Sequence, residues 1–469
     1  MTDRKPPTPA PGPLEDYAHS FDELFSRRGV RESFRRYLEG LLLPSERNKT
    51  LTGLANTEPV VGSVHPRAQQ LQWYLSWYLS ETSWEPDEVN DLRLKMLVEG
   101  EQTVPTESGV VVIDETGDRK WGNKTAHVSR QYLGSIGKVD NGVVSVSSLW
   151  ADEGVYYPTE VEPYTPAHWY EDGKGDGEFR TKPEIALELV VHVREKQIPF
   201  RAVVADSLYG EDRGFRRGLA EREIGYVLAL RPSHAWRHRE EDVGCVEDVA
   251  RGHRWSEKEP GSWVKVERSF RDGHTETWWS LEGQGGPYGP TKGRRLVIVT
   301  TDPQSMPELT SWYLVTNLPA DDPADGPERA GSSELAAADL AEVVRLYGLR
   351  MWVEQSYKQV KQTLGWAQYQ VRSSIAIRRH WQMVLCAFSF CWWASAPDVL
   401  GEARNQPLGV NQKVAPEAAR GGKGGSATSD QLAKGAETGA RVAGTLVHAA
   451  TLLESVVGQA PTQTAQRVA

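Results

Sequence analysis

Two aspartates stand where short apolar runs stop. In "SGVVVIDETGDRKWG" the run Val110 to Ile113 meets Asp114, and in "FRAVVADSLYG" the run Val203 to Ala205 meets Asp206. Both runs are short, apolar and bounded by turn signals, the pattern of buried strands. Carboxylates are rarely buried unless paired or bound to metal. Strand ends in an α/β sheet are also where ligands sit. On neighbouring strands the two aspartates would repel each other, which calls for a cation between them. Taken singly, either reads more readily as a turn starter or helix N-cap. The pairing is what points to chemistry.

A third acid lies in "LAEVVRLYGLRMWVEQSYKQVKQTLGW", which reads as one long helix. At about 100° per residue, Tyr347, Arg350, Glu354, Lys358 and Lys361 share a stripe roughly 80° wide. Leu346, Leu349, Val353, Val360 and Leu364 gather on the adjacent face, which would dock the helix to the body. Between Arg345 and His380 the one acid is Glu354, and Arg372, Arg378 and Arg379 keep the chain basic beyond the helix. A basic zone around a single carboxylate fits an anionic partner. The competing reading is a surface helix with Arg350 paired to Glu354.

Other residue types fit packing better than chemistry. Glu115 and Asp118, beside Asp114, read as turn or surface residues, and Lys120 and Lys124 as a solvated loop with DNA contact as the alternative. Trp236, Trp278 and Trp279 read as core, although a tryptophan could stack on an extruded base. Cys386 and Cys391 lie in the apolar stretch "MVLCAFSFCWWA" and read as core. His192 and His380 are not at ligand spacings. With Cys245 the cysteines number three, too few and too far apart for a zinc site or a disulfide framework.

The elements that must position these residues follow from periodicity and composition. Residues 1–14 read as a disordered leader without an apolar signal core. Residues 15–104 read as helical, with Phe21, Leu24, Phe25, Phe34, Tyr37, Leu38 and Leu41 at helix spacing and Ser20 with Glu23 as a capping box. Residues 105–235 mix strands and helices. There Asp140-Asn141-Gly142 is a hairpin signal, and Pro183 opens an amphipathic helix. Residues 236–330 are β-rich and read as an insertion ending in a linker. Residues 331–398 carry the Glu354 helix, and 399–469 are low-complexity and read as mostly disordered. The fold class is therefore α/β with a β-rich insertion and an N-terminal helical domain.

Composition bounds the function. The 469 residues are 39% hydrophobic and 25% charged, ample for more than one domain. No run of about 18 apolar residues is present, so a membrane span is not expected. Net charge is −10, from 54 Lys and Arg against 64 Asp and Glu. That total argues against a nucleic-acid binder, but phosphate affinity depends on local charge, and the local charge collects around Glu354. A reduced, cytoplasmic protein is the natural setting.

The spacing Tyr347, two residues, Arg350, three residues, Glu354, six residues, Lys361 resembles the Tyr-Arg-Glu-Lys signature of cut-and-paste insertion-sequence transposases. These belong to the DDE superfamily, whose catalytic domain is ribonuclease-H-like. "VVVIDETG" resembles the first aspartate block, and "VVADSLYGEDRGFRRGLAEREIGYVLAL" the second. "KWGNKTAHVSRQYLGSIGKVDNGVVSVS" and "FRRYLEGLLLPSERNKTLTGLA" resemble blocks of the insertion-sequence-701 group. The resemblance covers roughly residues 20 to 395, and the β-rich stretch fits the insertion of this branch. It implies a ribonuclease-H-like core with Asp114, Asp206 and Glu354 as catalytic metal ligands. Two Mg²⁺ or Mn²⁺ ions would lie between them, Asp114 bridging both. It also implies Tyr347, Arg350 and Lys361 on transposon-end phosphates, with Lys358 and Arg372 in the same basic zone. The partners implied are double-stranded DNA with terminal inverted repeats and target DNA, and a dimer in the synaptic complex. The N-terminal helices are the expected end-recognition module, and the location is cytoplasmic and nucleoid-associated. Two alternatives remain: a domesticated DNA-binding protein that no longer transposes, and a two-carboxylate glycosidase, which the basic surround of Glu354 disfavours.

Overall fold

The computed structural model describes residues 5–10, 12–43, 48–55, 68–239, 242–269, 274–283, 294–320 and 335–395. Among these residues the helices are α1 (Pro13–His19), α2 (Arg28–Leu42), α3 (Leu51–Ala55), α4 (Ala68–Ser80), α5 (Pro86–Glu99), α6 (Lys182–Glu195), α7 (Ser207–Gly210), α8 (Arg213–Ala220), α9 (Val246–Arg251), α10 (Leu340–Gly348), α11 (Met351–Gln362) and α12 (Ser374–Trp393). The strands are β1 (Val110–Arg119), β2 (Ser129–Leu133), β3 (Lys138–Ala151), β4 (Tyr156–Pro163), β5 (Ala202–Ala205), β6 (Tyr226–Ala229), β7 (Ala235–Arg239), β8 (Asp242–Cys245), β9 (Val264–Ser269), β10 (Thr275–Gly283), β11 (Arg295–Thr300) and β12 (Ser311–Thr316). None of the described helices is long and apolar enough to cross a membrane.

Two compact units divide the chain. One takes the described residues up to Val104, Lys124–Ala126 and those from Lys358 on; the other takes Pro105–Asn123 and His127–Tyr357. In the first unit α12 is the central element, packed against α2, α4 and α5. Its sequence is apolar nearly all round, so it belongs in an interior. Several of its polar groups find partners there. Arg379 donates to the carbonyls of Leu79 and Trp84, and the Tyr37 hydroxyl meets His380 Nδ1 at 2.8 Å. Cys386 and Cys391 are buried in the same helix, as core residues. The sequence assigns α12 to the second part of the catalytic core (331–398), but its packing partners are the N-terminal helices.

Three local expectations for this unit change. Residues 5–10, expected in a disordered leader (1–14), are held by α2: Thr8 donates to Glu32, and the Lys5 carbonyl accepts from Arg31. Ser20 ends α1 and starts nothing, because its hydroxyl donates back to the Asp16 carbonyl at 3.2 Å. The next α-helix waits until Arg28, past a short 3₁₀ turn at Asp22–Leu24.

In the second unit the sheet runs β2-β3-β1-β5-β6-β12-β11-β10-β9, with β4 pairing β3. The pairs β1–β5 and β5–β6 are parallel and the rest antiparallel. The parallel centre is what the continuous runs Val110–Ile113 and Ala202–Ala205 require: strands buried on both faces. This is the mixed α/β sheet expected of a ribonuclease-H-like domain. The β-rich insertion does not stand apart, because β12, β11, β10 and β9 extend the same sheet from β6. At α6 a capping box forms, Thr181 with Glu184, and Pro183 sits in its first turn as read. The hairpin expected at Asp140-Asn141-Gly142 is absent. Those residues lie inside β3, and the turn falls at Gly134–Ile136 with Gly137 at φ 64°. Asn141 serves another end: its Nδ2 donates to the carbonyls of Lys120 and Gly122, tying down the chain that leaves β1. The linker, residues 321–334, and the tail, 399–469, lie outside the described residues.

Candidate active site

Asp114 and Asp206 take equivalent places on adjacent strands. The parallel register pairs Ile113 with Ala205, so each aspartate is the next residue along. Adjacent strands are about 4.8 Å apart. The two differ in one respect that the sequence hides. β5 ends at Ala205, and Asp206 caps α7, its Oδ1 accepting from Leu208 N–H at 3.0 Å. β1 does not end at Asp114; it continues to Arg119 along β3. Asp114 is the residue where the β5 side of the ladder stops while the β3 side goes on, which opens space beside a strand still rigidly held. Gly210 lets α7 lie close over β6: a Cβ there would collide with the Ala229 carbonyl oxygen.

The expected single helix is two. α10 ends at Gly348 and α11 starts at Met351, with short-range bonds closing the junction: Arg350 N–H donates to the Tyr347 carbonyl at 3.0 Å and Val353 N–H to the Arg350 carbonyl at 3.1 Å. Apolar spacing runs unbroken through this junction, so periodicity cannot show it. The anticipated buried face holds, with Leu346, Leu349, Val353, Val360 and Leu364 all in the core. The break places Arg350 at a corner. Its Nη2 lies 3.3 Å from Asp114 Oδ2 and its Nη1 lies 3.7 Å from Glu354 Oε1. The surface pairing of Arg350 with Glu354 is therefore present, but as half of a bridge to Asp114. The inserted strands brace this corner. Arg268 of β9 stacks between Trp278 and Trp312, at 4.7 and 4.8 Å from their rings, and Trp312 meets the Tyr347 ring edge-on at 5.1 Å. Trp236 and Trp278 are buried and Trp279 partly so, placing them in packing.

Burial lifts the Asp114 carboxyl to about 7; the nearby Arg350 guanidinium opposes the rise and the Asp206 carboxylate adds to it. Arg350 is held above its ordinary value by those same acids, Asp114 first, against its burial. Tyr347 is raised to about 12 by burial. Among the described residues no three His, Cys, Asp or Glu side chains stand grouped as a metal site. The guanidinium of Arg350 occupies the position a cation would take between Asp114 and Glu354. The donor set itself suits a hard divalent ion, being carboxylate oxygens throughout. Glu354 has room to swing, its side chain 72% exposed. A buried group beside the acids points the same way: the Tyr209 hydroxyl has no hydrogen-bond partner among the described residues and sits in the field of Glu115, Asp114 and Asp206.

Tyr209 escapes a reading that looks for charge. So does Tyr357, whose hydroxyl meets Ser147 Oγ of β3 at 2.7 Å. The signal for each is spacing: three residues after Asp206 and three after Glu354. Glu115 and Asp118 are not turn or surface residues. Both lie inside β1, Asp118 buried, and Glu115 pairs with Lys182 at 2.8 Å. Lys358 and Lys361 follow Glu354 on α11 but, with Arg372, belong to the first unit. The boundary falls inside α11, after Tyr357.

Known proteins share these segments. The model of a DDE superfamily endonuclease matches residues 20–285, and that of a transposase DDE domain matches residues 183–390. A probable transposase for insertion sequence element IS701 from Microchaete diplosiphon is 31% identical over 372 residues, covering 79% of this chain and 85% of that protein.

Proposed function

The chain belongs to the DDE transposase family, and from that premise we propose that it cuts DNA at the ends of an insertion sequence and joins those ends to new DNA. Carrying most weight is the convergence around Arg350: carboxylates from β1, the end of β5 and α11 answer one guanidinium, although 92 and 148 positions separate them (206 − 114; 354 − 206). Charged side chains drawn from such distant segments to one partly buried point are the mark of a functional site.

DDE transposase domains use divalent metal ions, and here Asp114, Asp206 and Glu354 would hold Mg²⁺ or Mn²⁺, two ions. Bound there, the ions would supply activation of the attacking water or 3′-hydroxyl and charge stabilisation for the leaving oxygen. The protein's own groups do the rest. β1 fixes Asp114 through its unbroken pairing with β3. Arg350, released from the acids, meets a backbone phosphate with its planar fork. Tyr347 extends that contact, and Lys361, Lys358 and Arg372, in the first unit, would make phosphate contacts of their own. The N-terminal helices recognise the terminal inverted repeats, and two copies bring two ends together.

The test is cleavage of linear DNA carrying the element's terminal repeats by the full chain. Strand cutting at the repeat ends is expected with Mg²⁺ and lost when EDTA removes the metal. Binding to the repeats without cutting would favour a domesticated binding protein. Cutting that survives EDTA would refute the metal-dependent route.

A further inference from the structure

From Arg119 to Val139 the chain holds five Lys or Arg and no Asp or Glu, in a protein of net charge −10. The fold gathers part of this run around Asn141. In the β2–β3 ladder Arg130 lies directly opposite Asn141, and Tyr132 opposite Val139. Residues opposite one another in an antiparallel pair share a face, as do residues two apart on one strand. Arg130, Tyr132 and Asn141 are therefore on one face. Asn141 Nδ2 donates to the Lys120 carbonyl at 2.8 Å and the Gly122 carbonyl at 2.7 Å, which fastens the Lys120–Gly122 loop to the same place. Trp121, in that loop, is 81% exposed, and the Arg119 guanidinium lies over its ring at 4.4 Å. Tyr132 is exposed as well. Asp140, the residue before Asn141 on β3, pairs with Arg119 at 3.1 Å. Arg130 is exposed and makes no ion pair among the described residues.

An indole left in water is of no use to the core. Exposed aromatic rings beside an excess of cations over acids suit a phosphodiester polyanion, which offers phosphates to the cations and flat sugar or base faces to the rings. We infer that this face of the β2–β3 hairpin, with the Lys120–Gly122 loop, is a second DNA-backbone contact. It holds the duplex where it runs on from the Asp114 site, and it rests on the reading of the chain as a DNA-cleaving enzyme. β1 sets its reach. Arg119 lies five residues beyond Asp114 on the same strand, about 17 Å at roughly 3.3 Å per residue. A duplex strand advances about 3.4 Å per nucleotide, so the contact falls about five base pairs from the reacting phosphate. Arg130 meets a phosphate there and Trp121 packs flat on a deoxyribose or an unstacked base.

The test measures binding of the full chain to a short fluorescein-labelled duplex of random sequence, by anisotropy, across a salt series. Arg130→Ala is expected to weaken binding and to flatten the log–log salt slope by about 1, one phosphate contact's worth. Trp121→Ala is expected to weaken binding by roughly fivefold or more at every salt concentration, with the slope unchanged. Both side chains are exposed, so neither change disturbs the core. If both variants bind with the wild-type affinity and slope, the surface assignment is wrong. It is also wrong if they lose self-association and keep DNA affinity, since the face then joins copies of the chain. Repeat-end cleavage by the wild type in the same preparation separates the two proposals. Cleavage with unaffected variants removes only this surface, whereas absence of both binding and cleavage removes both.

Discussion

Asp206→Ala abolishes end cleavage, by roughly 10⁴-fold, the scale of loss when one member of a catalytic group is removed. Binding to the same DNA is unchanged. The expectation comes from where Asp206 sits. Its side chain caps a four-residue helix, accepting from Leu208 N–H. That cap supports little structure, so the substitution tests chemistry more than folding. Asn would keep the cap and remove the charge, and Asp206→Asn is expected to fold like the wild type and be as inactive as the alanine variant. Gel assays of repeat-ended DNA with Mg²⁺ read cleavage, and anisotropy reads binding. Activity equal to wild type in either variant would remove Asp206 from the mechanism.

Asp114→Asn stabilises the metal-free protein at pH 8 and leaves it nearly unchanged at pH 4. Burial lifts the Asp114 carboxyl from the ordinary 3.8 to about 7. Between those values the folded chain keeps a proton that the unfolded chain has released. Stability therefore falls as pH rises from about 4 to about 7, and the penalty is complete above 7. The span corresponds to roughly 4 kcal/mol. Asparagine carries no proton to lose, so the variant lacks this slope. Denaturant unfolding in EDTA at several pH values measures it, read as the difference between wild type and variant so that other titrating groups cancel. Mg²⁺ at pH 8 is expected to restore wild-type stability and to do little for the variant, because it binds the folded state through the missing carboxylate. Parallel pH profiles for the two proteins would show that Asp114 bears no such burden.

Arg350 explains why this burden is not larger. A guanidinium 3.3 Å from Asp114 and 3.7 Å from Glu354 neutralises the acids without a metal. The same pairing keeps the cluster from closing, so the chemistry requires Arg350 to exchange carboxylate partners for phosphate.

How much of this was legible in the residues varies by cause. The parallel strands were legible because burial on both faces leaves an unmistakable apolar run. The register that sets Asp114 beside Asp206 was not, since it comes from the β1–β5 ladder, yet both residues stand one step past equivalent positions. The apolar run of β1 stops at Ile113, before the strand itself does. The β3 ladder carries the strand five residues past Asp114 through polar positions, and pairing, unlike burial, leaves no apolar trace. The helix break at Leu349–Arg350 was hidden because apolar spacing continues through it; Gly348, the last residue of α10, lies so close to Arg268 that a Cβ there would meet its guanidinium at 2.7 Å. Asp140-Asn141-Gly142 carries turn chemistry without turning, because Asn141 spends its amide on the neighbouring loop. Tyr209 and Tyr357 were invisible to a search for charge, though their spacing from Asp206 and Glu354 marks them.

Anomalous diffraction from Mn²⁺ in crystals of the full chain bound to cleaved-end DNA tests the central claim most directly. Anomalous density is expected between Asp114, Asp206 and Glu354, with the Arg350 guanidinium moved off Asp114 and onto a DNA phosphate. Density held without Glu354, or Arg350 still seated on Asp114 with no metal between the acids, would contradict it.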